Sequence, residues 1–214
     1  MEGNEKDIVI KENHNKFLEQ EDRNIEDFQA IKDFFLDLKQ SSFYLSYAEE
    51  LYLDHILKKK VPKEVILNGI EKYMYRLPEF KRRKAMLFMC DNDINTSITD
   101  FIRKMWASSD EYWYIGRFDL HIKRLKYTGL DKKYNLDLDK IPYPTTEEEA
   151  ANILNSIKRR IFEKEWHLLS QDTKSIILQR YEKFKKLPEL YDKIIMDHIL
   201  HVLSLDWIDL YTLS

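Results

Sequence analysis

The side-chain types able to bind a metal or move a proton gather near the end of the chain, where Asp197, His198 and His201 lie within five residues. His198 and His201 share one face of any helix formed there, and Glu163 and His167, spaced by four, could face them from a second helix. Helical bundles hold metals in this way, with a carboxylate and a histidine on one face and further carboxylates opposite. The Glu-x-x-His form of such sites is missing from the chain, however, and His198 is embedded in the largely apolar IIMDHILHVL. Core or boundary histidines are therefore expected, with no metal or cofactor, and a metal-dependent bundle enzyme stands as the alternative. Cys90, the single cysteine, closes the apolar run Ala85–Cys90 with no histidine near it in sequence, so a buried inert thiol is expected rather than a nucleophile. The four glycines, Gly3, Gly69, Gly116 and Gly129, never fall within one motif, which excludes a phosphate-cradling loop. No catalytic residue is expected.

Ionic chemistry is the stronger signal. The formal net charge is only −3, but residues 1–50 carry 6 Lys/Arg against 13 Asp/Glu, residues 51–133 carry 18 against 11, and residues 134–214 carry 11 against 14. The middle of the chain is thus net +7, between segments of −7 and −3. That asymmetry fits a nucleic acid or an acidic protein as partner, or an acidic part of the chain lying over the basic one. The positive density is greatest at Lys58, Lys59, Lys60 and Lys63, at Lys81, Arg82, Arg83 and Lys84, and at Lys123, Arg124 and Lys126. All of these except Lys126 are the candidate phosphate contacts. Phe80, Tyr112, Trp113, Tyr114 and Phe118 fall among them and would stack on unpaired bases if exposed. The competing expectation is that the aromatics are core and the lysines merely complement the negative ends of helix dipoles.

These residues need helices to position them. With 43% hydrophobic and 34% charged residues, four glycines and five prolines, the chain has material for a core and too little punctuation for a turn-rich sheet protein. Apolar residues at Ile25, Phe28, Ile31, Phe34, Phe35 and Leu38 predict a first helix capped by Asn24. Ser46 with Glu49 predicts a capping box opening a helix from 47 to about 60. Pro62 and Pro78 sit where new helices start, the second running into Ala85–Cys90. Helices are predicted at 96–107 and at 110–128, the latter capped by Ser108 with Glu111 and stopped by Gly129. Thr146 with Glu149 opens one to about 168, Asp172 another to about 186, and Pro188 a last one past Leu203.

The succession VPKEVILNGI at 61–70, then Lys81-Arg82-Arg83-Lys84 leading to Met86-Leu87-Phe88-Met89-Cys90, resembles uncharacterised bacterial all-helical proteins. Residues 46–95 are also loosely similar to the helical module of DnaD-type replication-initiation proteins, in which two helices and a short positive connection precede the next helix. The resemblance implies a helical, DNA-associated module and transfers no site residue.

The expected fold is all-α, a multi-helix bundle of about eight helices. Its expected parts are a flexible acidic N-terminus over 1–22, a helical domain with a basic middle over 23–129, a linker or surface loop over 130–146 and a C-terminal bundle over 147–214. The expected role is a non-enzymatic cytoplasmic binding protein with no membrane partner, since neither a signal segment nor a long apolar stretch occurs. Val202, Leu205, Trp207, Ile208 and Tyr211 allow a further alternative, a protein–protein adaptor using an apolar C-terminal helix. Oligomeric state is open.

Overall fold

A computed structural model describes residues 25–40, 44–107 and 111–213. The segment expected to be flexible, 1–22, and the predicted caps Asn24 and Ser108 lie outside the described residues. The fold is all-α: among the described residues there are ten helices, eight of them seven residues or longer, and no strand. The chain forms two compact units, the first ending at Ser97 and the second beginning at Ile98.

In the first unit, α1 (25–39) buries Ile31, Phe35 and Lys39, a spacing of four that places all three on one face, while Ile25 is exposed. Helix α2 (Tyr47–Leu57) opens with the predicted capping box, both reciprocal bonds between Ser46 and Glu49 being made. It ends at the Lys58–Lys60 turn, and Lys60 takes a left-handed φ of 56°. Pro62 and Pro78 are N-cap residues of α3 (Lys63–Arg76) and α4 (Glu79–Arg82), so both prolines punctuate as their missing N–H allows. The helix expected to run from Pro78 into the Ala85–Cys90 segment is only four residues long. Met86 is extended, and a 3-10 turn (Leu87–Cys90) leads into α5 (Asp91–Ala107), which starts five residues before the predicted 96 with Asp91 and Asp93 in its first turn.

Helices α3 and α5 meet at Gly69. A Cβ at that position would lie 2.5 Å from Ile94 Cα and 2.8 Å from Ile94 N, so the two backbones approach as only glycine permits.

In the second unit, α6 (Trp113–Tyr127) is stopped by Gly129, whose φ of 70° is the left-handed conformation expected of a helix-ending glycine. The stretch read from sequence as a linker or loop, 130–146, contains α7 (Leu130–Lys133) and a 3-10 turn (Leu138–Lys140), and it buries Tyr134, Leu136 and Leu138. Its prolines and charges do break long helices, but three apolar side chains spaced by two anchor it to the second unit's core. Helix α8 (Glu147–Leu168) is capped by Thr146, although the Glu149 carboxylate reaches back to Thr145 rather than to the cap residue. Helix α9 (Gln171–Arg180) is capped by Ser170, and α10 (Pro188–Val202) begins on its proline. Ile157, Ile161, Phe184, Ile194 and Leu200 fill the core of this part.

Gly69→Ala is expected to destabilise the protein by at least about 2 kcal/mol in urea denaturation, because the methyl group meets backbone that cannot rotate away. Gly116→Ala, on exposed α6 surface with nothing within 4 Å of its Cβ, is expected to stabilise by about 0.5–1 kcal/mol.

Candidate functional site

The candidate phosphate contacts of the first unit depend on a buried carboxylate some distance along the chain. Glu49, 2% exposed, accepts from the Ser46 backbone N–H at 2.9 Å and its hydroxyl at 2.7 Å through Oε2, and from the Leu87 N–H at 3.1 Å through Oε1. Lys39, itself buried, places its Nζ 3.6 Å from the same Oε1. A helix continuing from α4 would send the Leu87 N–H to the carbonyl four residues back. That donor is taken by Glu49 instead; α4 has ended at Arg82, and the basic segment stays on a short, exposed turn.

Several of the basic residues have partners close by. Lys58 pairs with Asp54 at 2.9 Å and Lys63 with Asp27 at 3.2 Å, while Lys59 donates to Asn95 at 2.7 Å. The Asp27 contact is one instance of an acidic residue of the N-terminal part meeting the basic middle. Arg82 donates through Nε to the carbonyls of Met74 at 2.9 Å and Leu77 at 3.1 Å, closing the C-terminal end of α3, and its guanidinium lies 5.2 Å from the centroid of the Tyr75 ring. Lys60, Lys81, Arg83 and Lys84 are exposed. The Lys58–Lys63 cluster lies at the start of the 14-residue α3, itself about 20 Å long, and the Lys81–Lys84 cluster follows its end.

The aromatics divide as well. Trp113, Tyr114 and Phe118 are buried, so stacking on bases is excluded for them and the core reading applies. Phe80 and Tyr112 are exposed, Phe80 at 69%, with Lys81 Nζ 6.0 Å from its ring centroid. Tyr75, 59% exposed beneath Arg82, joins this end of α3. Tyr75 is not among the sequence candidates; its signal there is a position outside the α3 face that buries Ile66, Ile70 and Met74.

In the second unit, Lys123 is exposed and Arg124 lies 4.1 Å from the centroid of the Trp207 ring. Trp207 also stacks on His121 at 5.9 Å and 18°. This belongs to a set of contacts that fastens the C-terminal segment. Arg117 donates to the carbonyls of Leu210 at 3.1 Å and Thr212 at 2.6 Å, Lys158 pairs with Asp209 at 2.6 Å, and the Tyr211 hydroxyl donates to Glu147 at 2.7 Å. Arg103 grips the same Glu147 at 2.9 Å. Burial works against the Glu147 charge, but Arg103 and Tyr211 outweigh it and hold the carboxyl below its usual range. Burial likewise opposes the Lys158 charge, and Asp209 with Asp197 more than offsets it. Leu205, Trp207, Ile208 and Leu210 are buried within this unit and residues 203–213 are not helical, while Val202, the last residue of α10, is exposed.

His198 meets Tyr181 at 3.2 Å and His201 meets Asp206 at 3.3 Å, each histidine with its own partner. Among the described residues no group of three or more His, Cys, Asp or Glu side chains is placed to hold a metal ion. Cys90 is buried, and burial raises its thiol far above the range in which a thiolate forms at neutral pH. Among the described residues no helix is long and apolar enough to cross a membrane.

A family model described as "Uncharacterised protein" matches residues 15–110. The chain is 28% identical over 183 residues to an uncharacterized protein of Aquifex aeolicus (strain VF5), covering 85% of this chain and 98% of that relative. Both agree with the resemblance to uncharacterised bacterial helical proteins, and neither description names a DnaD-type protein. No solved structure matches.

Glu49→Ala is expected to cost about 3–5 kcal/mol in urea denaturation, since it strands the buried Lys39 ammonium and the Leu87 N–H. A loss below about 1 kcal/mol would show that Glu49 does not hold this region. His121 provides a pH test. Burial, first, and then the charge of Arg117 lower its pKa from 6.5 to about 4, against the opposing pull of Asp209. Between pH 6.5 and 4 the unfolded chain therefore binds a proton that the folded one refuses. The stability His121 lends is whole above pH 6.5 and falls by about 3 kcal/mol as pH drops to 4. Denaturation of the protein and of His121→Gln across that range is expected to show a steeper loss in the former, by about 3 kcal/mol at pH 4.

Proposed function

We propose that the protein is a non-enzymatic nucleic-acid-binding protein whose first unit contacts phosphates through the two basic clusters at the ends of α3. The observation carrying this reading is that Lys60, Lys81 and Lys84 remain exposed while neighbouring cations are spent on carboxylates and carbonyls. Lys58 and Lys63 add to it. Their ion pairs are solvent-accessible at 35% for each lysine, and such pairs are worth about 0–1 kcal/mol, so a phosphate can compete for them. Lys59, bonded to Asn95, is a weaker contributor.

Lys60 gives a second support. A lysine at left-handed φ costs about 1 kcal/mol relative to a residue free of that strain, and glycine would avoid it. The chain keeps a cation at this turn despite that cost. Arg82 is a positioning residue for the end of α3. Lys123 is a further phosphate contact on the second unit, whereas Arg124 is committed to Trp207. The DnaD-like pattern of residues 46–95 points the same way, towards a DNA-associated helical module.

With five open or weakly paired cations engaged, binding measured by gel shift or fluorescence anisotropy is expected to weaken about a hundredfold or more between 50 and 200 mM salt. Replacing Lys81 and Lys84 together by alanine is expected to flatten that salt dependence by roughly two fifths. Absence of binding to DNA and RNA at low salt removes the proposal.

A further inference from the structure

Resting on that reading, we infer that the nucleic acid is single-stranded and that Phe80 is the platform on which an unpaired base stacks. Phe80 and Arg83, three residues apart, fall on one side of the turn that continues α4. The turn persists that far, because the Lys84 N–H donates to the Lys81 carbonyl at 3.0 Å and the Ala85 N–H to the Arg82 carbonyl at 3.0 Å. The Phe80 ring is 69% exposed, and Lys81 Nζ lies 6.0 Å from its centroid. An apolar ring thus stands in water with cations on the same turn and on the next residue.

A single exposed phenylalanine is ordinary on a protein surface. Its surroundings give it meaning here. A surface built for duplex phosphates uses cations and polar donors, since the base faces are hidden in the stack and only their edges are reachable in the grooves. A surface for single strands interleaves cations with aromatic faces, because every unpaired base offers a face and every nucleotide a phosphate. The end of α3 has the second composition. Tyr75, near the end of α3, is 59% exposed, with the Arg82 guanidinium 5.2 Å from its ring centroid. Arg82 is fixed there by its bonds to the Met74 and Leu77 carbonyls, so this aromatic–cation pair is held in place.

The test uses the full chain and three probes of about 12 nucleotides, a length within the range covered by one single-strand-binding fold. They are a mixed-sequence single strand in ribose and deoxyribose forms, the corresponding duplex, and an abasic strand that keeps the phosphates without the bases. The single strand is expected to bind about tenfold tighter than the abasic strand. Phe80→Ala is expected to remove about tenfold on the single strand and to leave the abasic strand and the duplex unchanged, while Phe80→Trp retains binding. The exposed position of Phe80 makes unfolding an unsuitable explanation, and a thermal melt of each variant checks this. Equal affinity for abasic and normal strands, or a Phe80→Ala variant that binds the single strand like the parent, overturns the stacking inference while phosphate binding stands. No binding to any probe at low salt overturns both.

Discussion

The buried carboxylate of Glu49 is the constraint on which the first unit turns. A charge at 2% exposure is tolerable only if its lone pairs are filled, and here they are filled from three directions: the start of α2, the ammonium of Lys39 on α1, and the Leu87 N–H. The capping box alone would be a local device worth about 1 kcal/mol. Adding the Leu87 bond makes it tertiary, because that donor is then unavailable to a helix continuing from α4. With α4 ended at Arg82, Leu87 and Cys90 lie in the core and Lys81, Arg83 and Lys84 in water. A structural requirement at residue 49 thereby reaches the chain next to a candidate binding surface more than thirty residues later.

The two units use positive charge in opposite ways. In the first, arginine and lysine are divided between helix ends, weak surface pairs and open positions. In the second, Arg103, Arg117, Arg124 and Lys158 are each directed at the final segment or at the glutamate that receives it. Arg117 meets two carbonyls and no carboxylate, so burial lowers its pKa with only Asp209 in opposition. The result is a tail with few backbone bonds of its own, held by side chains from α5, α6 and α8. His121 lies among them with its ring against Trp207, where burial and the Arg117 charge lower its pKa.

Much of the local structure could be read from the sequence because it follows from chemistry within a turn. Ser46 with Glu49, Thr146 with Glu149, Pro62, Pro78, Pro188 and Gly129 all mark helix ends where the structure has them, each through a missing or supplied backbone bond. The misses are equally specific. The segment after Pro78 keeps helical spacing yet is not one helix: α4 ends at Arg82, and a residue far away in the chain takes the Leu87 donor. The 130–146 stretch looks like a linker by composition yet is packed, because Tyr134, Leu136 and Leu138 find a core. Of the aromatics among the basic residues, Trp113, Tyr114 and Phe118 went inside and Phe80 stayed out, a distinction that residue type cannot make.

The sequence by itself determined the all-α class, most helix starts and the uneven distribution of charge, since these depend on composition and on neighbours within four residues. Tertiary structure decided which cations are spent and which remain in water, and that the two clusters of the first unit stand at opposite ends of one helix. The physical reason is that a charge becomes available or committed through partners brought near by folding. Asp27 and Lys63 are 36 positions apart in the sequence and 3.2 Å apart in space, and nothing local to either residue announces the other.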